Sequence, residues 1–474
     1  MTIQPDLDAQ DPVLLTDMGN ARRFAMHHKD RVRYVAAWGW VVWDGRRWKQ
    51  DDTGGAVRLA RCTIHRLFVE AQDMNKTATA LIAAAAEATK QGDEEAARAA
   101  QNAVEKAQKK AKALMDWAVK SQSRPRIDAM LALVQSEPEL AATTADFDNA
   151  PWLLNAQNGT VDLRTGNMHS HSPNDMLTKL AGANYCPGAP CPAWLAFLER
   201  VQPEPAIREF LQRSIGYSLT GQVSEQVFWF LYGTGANGKS VFSGVVGALL
   251  GDYAMKVRAE ALMLKKQETI PEEVAAMAGR RFALASELGD NQYLNESLIK
   301  DLTGGDRMRA RYLHKNSFEF DPQVKVWMYG NHKPLVTGTD TGIWRRPRLV
   351  PFAVTIPEAE RDPALLDKLF AELDGILAWA VAGCLVWQRD GLGTPDAVRA
   401  ATREYRTESD VVGRFLEECT VVCTESVGAL QLYKAYKAWA ENEGHKLMSN
   451  TTFGRKLSER GLERVHTMIG KQYK

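Results

Sequence analysis

Eight consecutive residues carry the most chemical information in this chain: Gly233, Thr234, Gly235, Ala236, Asn237, Gly238, Lys239 and Ser240. They satisfy the pattern Gly-x-x-x-x-Gly-Lys-Ser without exception. Glycine lets successive backbone N–H groups curl round an anion without a Cβ in the way. A helix beginning at the lysine would add the positive end of its dipole. Lys239 has the reach to contact the β- and γ-phosphates of ATP, and the Ser240 hydroxyl is of the type that ligates Mg²⁺. The flanks suit the pattern. Gln226 to Tyr232 reads as a buried strand, and Ser240 to Leu250 as a helix stopped by Gly251.

Nucleotide hydrolysis on such a loop calls for a second strand ending in an acid. Arg280 to Ser286 supplies the strand, and Glu287 stands at its C-terminal end, where it can help hold Mg²⁺ or polarise the attacking water. A third strand, Val324 to Tyr329, ends at Gly330-Asn331. A strand-end Asn is commonly a turn residue. In register with the other two strands, Asn331 is placed to orient the lytic water or touch the γ-phosphate.

The elements that must position these groups follow from the pattern around them. At 474 residues the chain is long enough for about three domains. From about 201 to 355 strands alternate with helices, the sign of a parallel-sheet α/β domain. Upstream, Thr160 to Leu163 between Asn158-Gly159 and Thr165-Gly166 reads as a small β-meander. Residues 76–120 are rich in strong helix formers, with a break at Gln91-Gly92-Asp93 and Asp93 as an N-cap. Residues 1–75 hold an aromatic hairpin, with Trp38, Trp40, Trp43 and Trp48 around the Asp44-Gly45 turn. These rings could stack on bases, but packing on a small core is the favoured reading.

At the tail, residues 410–474 read as a winged helix. A helix over about 410–418 precedes a second over 429–443 that buries Leu430, Tyr433, Tyr436 and Trp439. A third, capped by Ser449 or Asn450, leads to a two-stranded wing from Leu462 to Tyr473. Nine Lys/Arg against four Asp/Glu make 431–474 basic, and Arg455, Lys456 and Arg460 fall on the third helix, where DNA would be met.

These motifs resemble superfamily 3 helicases of the phage and plasmid primase-helicase type, related to the poxvirus primase-helicase. The resemblance covers about 145 to 355 best. It rests on the phosphate loop, on Leu298 to Asp306 followed by Arg309-Ala310-Arg311, and on Asn331-His332-Lys333-Pro334. Gly342-Ile343-Trp344-Arg345-Arg346 through Phe352 and Leu154 to Leu163 add to it. One departure is that many such proteins carry two adjacent acids where this chain has Ser286-Glu287. Mg²⁺ would then be held by Ser240, phosphate oxygens and water, with Glu287 acting indirectly.

The resemblance implies a homo-hexameric ring with ATP between subunits, and a cation reaching across the interface. Arg345 and Arg346 are the candidates, with no choice made between them. It also implies that Met308–Leu313 and Ser317–Phe320 are arms of a hairpin whose tip, with His314 and Lys315, grips DNA phosphates.

The expected fold is α/β: a P-loop, AAA+-like parallel-sheet NTPase core at 201–395, an N-terminal mixed and helical region at 1–140, a small α+β segment at 141–200, and a winged helix at 405–474. The expected function is that of an ATP-dependent replicative DNA helicase of a phage or prophage, acting on single-stranded and forked DNA. The rival is a nucleotide-gated DNA-binding loader or origin-binding ATPase that does not unwind processively. Residues 1–200 offer no clear catalytic Asp-x-Asp pair with a supporting His, so priming is expected from a separate primase. A formal charge of +1 leaves any DNA contact to local patches. No membrane span is expected. The acidic, polar start and six sparse cysteines point to reduced thiols, no zinc knuckle, and a cytoplasmic protein.

Overall fold

The computed structural model describes residues 14–473 apart from 265–271, 287–288, 290–291, 312–316, 337, 339, 422–424, 446 and 468–469. Two compact units emerge: one runs to Asn149 and takes in His171–Thr178, and the other joins Ala150–Ser170 to the chain from Lys179 onward.

In the first unit, α1 (Asp17–His28) is capped by Thr16, and β1 (Val32–Val35), β2 (Gly39–Trp43), β3 (Trp48–Gln50) and β4 (Ala141–Ala142) form a sheet in the order β3-β2-β1-β4. Trp48 is 1% exposed and packs with Val35, Val41 and Phe147, while Trp40 packs on the opposite cluster with Phe24 and Val32. Trp48 is core, and Trp38, Trp40 and Trp43 are half-buried against the two clusters, as the packing reading expects. The helical pair is α2 (Gly55–Lys90) and α3 (Glu94–Ser121), followed by α4 (Arg124–Val134). Asp93 caps α3 by accepting from Ala96 N at 2.9 Å. α2 starts well before the change of composition near 76. Asp51 accepts from Gly55 N (2.6 Å) and Ala56 N (2.8 Å), satisfying two of the helix's free donors. Buried Ala56, Leu59, Ala60, Ile64, Leu67 and Ala71 then continue the apolar stripe.

The second unit is built on a five-stranded sheet. Its strands are β8 (Phe228–Tyr232), β9 (Ala254–Arg258), β10 (Phe282–Ser286), β13 (Lys325–Gly330) and β14 (Pro347–Pro351), in the order β14-β8-β13-β10-β9 and parallel throughout. Both faces are covered, so inner strands such as β8 and β10 are apolar on both sides. Along β8, Trp229 and Leu231 face one core, and Phe228 and Phe230 the other. On the first face lie α5 (Pro192–Val201), α6 (Pro205–Leu219), α7 (Lys239–Leu250) and α12 (Leu373–Asp390). On the second lie α9 (Glu296–Gly304), α10 (Thr341–Trp344) and α13 (Asp396–Ser409); α8 (Glu272–Ala276) and α11 (Leu365–Ala371) are shorter. The meander β5 (Leu153–Ala156), β6 (Gly159–Asp162), β7 (Asn167–His169) is antiparallel, and its Leu154, Ala156, Val161 and Leu163 share the first core. The meander is therefore part of the same packed core as the sheet it precedes.

Trp229 and Trp327 are direct cross-strand partners, stacked at 4.6 Å between centroids and 6° between planes. Their indole N–H groups donate to Ser214 Oγ (3.0 Å) and Ser218 Oγ (3.2 Å), one turn apart on α6. Two buried cations secure the chain entering the sheet. Arg281 donates to Leu219 O (2.5 Å) and Leu153 O (2.6 Å), and Lys325 donates to Thr220 O and to Gln323 O (2.8 Å). Burial, with Arg281 beside it, holds the Lys325 ammonium well below its usual pKa.

The C-terminal part runs α14 (Val411–Cys419), β15 (Val427–Gly428), α15 (Ala429–Asn442), α16 (Asn450–Glu459), then the hairpin β16 (Arg464–Thr467) and β17 (Gly470–Tyr473). Ser449 caps α16 through Thr452 N at 3.2 Å. The buried stripe of α15 is Ala429, Leu432, Tyr436 and Ala440, with Tyr433 and Trp439 at its margin. Leu430, expected inside, is 60% exposed, because the i, i+3, i+4 phase is set by Leu432 and Tyr436. Among the described residues no single helix is long and apolar enough to cross a membrane.

Candidate nucleotide site and DNA-facing elements

Gly330, the last residue of β13, pairs with Tyr232, the last of β8. That register brings the loop after β8 and the Asn after β13 to one edge of the sheet. The loop from Gly233 to Gly238 curls so that α7 begins at Lys239, with Ser240 exposed in its first turn. Gly238 is required twice. Its φ is +85°, and a Cβ there would meet Val201 Cγ1 at 2.7 Å and Phe197 Cε2 at 3.1 Å. Asn237, 3% exposed, donates to Phe352 O at 2.9 Å and so ties the loop to the end of β14.

Lys239 Nζ donates to Gly233 O (2.7 Å), to Asn237 Oδ1 (3.0 Å) and, at the limit of hydrogen bonding, to Asn331 Oδ1 (3.5 Å). Desolvation lowers its pKa. The three acceptors are neutral, so among the described residues no carboxylate already occupies the ammonium that an anionic phosphate would meet here.

A cavity of about 810 Å³ opens over the loop. Asn331 and His332 are among the residues that line it. The lining also has an apolar part that sequence reasoning did not identify, supplied by Phe197 and Val201 of α5, Ile356, and Leu365 and Leu366 of α11. Phe197 and Val201 were legible only as part of an amphipathic helix; nothing local says what that helix faces. Two ion pairs, Arg200–Glu360 and Lys368–Asp362, both 2.6 Å, flank the cavity.

Ser286 ends β10 level with Tyr329. Glu287, expected to follow as the second acid, lies outside the described residues. The two candidate interface cations separate. Arg346 is 5% exposed and is committed to Thr303 Oγ1 (2.9 Å) and Gly342 O (2.5 Å). It is not free to cross to another subunit, which corrects its candidacy. Arg345 is exposed and donates to Gln226 Oε1 at 2.5 Å.

The expected hairpin arms are present as β11 (Met308–Arg311) and β12 (Ser317–Phe320), antiparallel in register Met308 to Phe320. Its tip, with His314 and Lys315, lies outside the described residues. Arg309 and Arg311 are exposed on the first arm, and Arg309 donates to Ser317 Oγ at 2.8 Å. On α16, Arg455 is exposed beside Glu459, at 3.7 Å, and Lys456 is half-buried, its pKa lowered by desolvation. Arg460 turns inward onto Asp410, the N-cap of α14, so it holds the helices together rather than standing free for DNA.

Comparison with known proteins places three families along the chain. Residues 21–203 match D5 N terminal like, residues 231–346 match a family of unknown function (DUF5906), and residues 407–464 match Poxvirus D5 protein-like. "Putative helicase L207/L206" of Acanthamoeba polyphaga mimivirus is 26% identical over 320 residues, covering 62% of this chain. "Putative primase C962R" of African swine fever virus is 24% identical over 326 residues, again 62% of this chain. The chain spans about a third of the length of these relatives, 33% in each case. Among solved structures, the apo C-terminal region of NrS-1 aligns over 61% of this chain and 76% of its own at 12% identity, with a TM-score of 0.40, too loose to bear on the fold.

Proposed function

We propose that this chain, which its D5 N terminal like and Poxvirus D5 protein-like regions mark as a primase-helicase of the poxvirus D5 type, is an ATP-driven motor on DNA that works in replication. The observation that carries the reading is the meeting of Lys239 and Asn331, from loops after two adjacent parallel strands, beneath one cavity. The strand order, with the phosphate loop following the strand next to the edge strand β14, supports an AAA+-like P-loop core.

In this reading the backbone N–H groups of Gly235 to Ser240 and Lys239 hold the phosphates of ATP. The exposed Ser240 hydroxyl fits Mg²⁺, which supplies charge neutralisation on the phosphates. Asn331 orients water at the γ-phosphate, and Glu287 polarises it. The apolar wall of Phe197, Val201 and Ile356 takes the base. Subunits assemble as a hexameric ring in which Arg345 reaches the neighbour's nucleotide.

The hairpin tip, His314 and Lys315, grips the strand, and the tail supports a winged-helix reading in which Arg455 and Lys456 add DNA contacts. The names of the relatives support a viral replication setting, and the narrower phage setting rests on the motif resemblance. Priming falls to a separate primase.

Unwinding of a forked duplex tests the reading, measured with and without ATP alongside particle size. Strand displacement that requires ATP is the expected result. ATP-dependent DNA binding with no displacement would leave a nucleotide-gated loader instead.

A further inference from the structure

Helix α9 leads through Gly305-Asp306-Arg307 into the first hairpin arm, and one of its faces is fastened to the 338–346 turn. Glu296 Oε1 accepts from Gly338 N at 2.7 Å. Lys300 Nζ donates to Asp340 Oδ2 at 3.1 Å. Thr303 Oγ1 accepts from Arg346 Nε at 2.9 Å. Spacings of four and three residues put all three on a single stripe of the helix. The Thr303 hydroxyl gives its own proton to Ile299 O at 2.6 Å, which leaves its oxygen as an acceptor for the guanidinium. Asp340 also caps α10 through Ile343 N at 3.1 Å, so the turn is held at both of its ends.

The opposite end of this arrangement is Arg345, exposed and one residue from the buried Arg346. The hairpin side is seated too: Ala310 is fully buried, Met308 packs on the second core, and Arg307 pairs with Asp321 across the hairpin base at 3.2 Å.

We infer that Arg346 is a positioning residue that, with Thr303 and Lys300, staples the root helix of the hairpin to the turn carrying Arg345, so that strand engagement at the hairpin sets Arg345 against the neighbouring subunit's nucleotide. The inference rests on the ring-motor reading. Its physical basis is that elements fastened along two turns of helix shift as one body, so a displacement at the hairpin root is delivered to Arg345 instead of being absorbed between them.

The test is steady-state ATPase of the full chain, with and without forked DNA, for wild type, Thr303→Val, Thr303→Ser and Lys300→Ala. Neither Thr303 nor Lys300 lines the cavity over the phosphate loop, so basal turnover should stay within about threefold of wild type, while the DNA-stimulated increment falls about tenfold in Thr303→Val and several-fold in Lys300→Ala. Thr303→Ser restores the acceptor and should restore the increment, a rescue that a purely packing role of the threonine methyl would not give. If the valine variant melts early, Lys300→Ala decides: loss of stimulation supports the staple, and wild-type stimulation overturns it. A stimulated wild type with an equally stimulated Thr303→Val overturns the staple alone. A wild-type ATPase indifferent to DNA refutes the motor reading and this inference with it.

Discussion

Replacing Lys239 by alanine removes the one side-chain cation of the phosphate loop, and the structure allows its two consequences to be weighed separately. Folding loses the donor to Gly233 O at 2.7 Å and to Asn237 Oδ1 at 3.0 Å; the 3.5 Å approach to Asn331 contributes little. Asn237 is buried and Gly233 only partly so. With one well-buried acceptor left unmet, the cost is about 1–3 kcal/mol. Part of it is offset, because the burial that lowers the ammonium's pKa is itself unfavourable and disappears with the side chain. Asn237 still holds Phe352 O, so the loop keeps its anchor.

Catalysis loses more. A fixed cation aimed at developing phosphoryl charge is worth about 3–4 kcal/mol, so turnover should fall about 10²–10³-fold or further. Phosphate release measured beside thermal melting separates the two effects. Wild type should gain about 2.7 kcal/mol of stability at Mg·ATP a hundredfold above its Kd, and the variant far less. A variant that hydrolyses ATP at the wild-type rate refutes the assignment of this loop, and one that unfolds outright shows that the lysine is structural.

If Arg345 acts across an interface, Arg345→Ala should slow turnover by about 10³–10⁵, and mixing it with Lys239→Ala subunits should recover some activity; no recovery once subunit exchange is verified counts against a trans role. Replacing His314 and Lys315 together with alanine should spare basal ATPase, abolish unwinding and flatten the salt dependence of DNA binding, as read by titration at several salt concentrations. Normal unwinding by that double variant would place the grip elsewhere. In the first unit, burial first, and then His27, Arg31 and Arg66, lower the His28 pKa to about 4, while Nε2 meets Thr63 Oγ1 at 3.0 Å. The folded value lies below the unfolded one near 6.5, so the unfolded chain takes up the proton first and stability drains as pH falls from about 6.5 to 4, by about 3 kcal/mol in all. His28→Gln should flatten urea midpoints across that window; an unchanged slope would show that another group titrates there.

What the sequence revealed and what it withheld divide along range. The phosphate loop was legible because strand, glycine turn, lysine and helix are contiguous, and the hairpin arms through the motif resemblance. The helical break at Gln91-Gly92-Asp93 was legible because a cap needs only three residues. The start of α2 was not, because Val57, Thr63, Ile64 and Val69 are poor helix formers, and packing on α1 and the sheet overrides their propensity. The apolar wall of the cavity draws Phe197 and Leu365 from positions 168 residues apart, which no local pattern joins. Neighbouring arginines 345 and 346 read alike until a helix residue 43 positions upstream gives one of them a buried acceptor. Leu430 was misplaced by a shift of helix phase too small for periodicity alone to detect.

The stacked Trp229 and Trp327 sit three residues before the ends of their strands, and each is moored to the same helix. They work as a gauge block. The gap between the phosphate loop and Asn331 is machined in the dry interior, three residues of strand, or about 10 Å, from the place where it matters. Wear at the surface of the site is then cheap, since the spacing does not depend on it, whereas a modest change of volume in the core would put the two loops out of true with every residue of the candidate site intact. Variants whose hydrolysis fails without any substitution at the nucleotide should therefore cluster around these two rings and the serines that hold them.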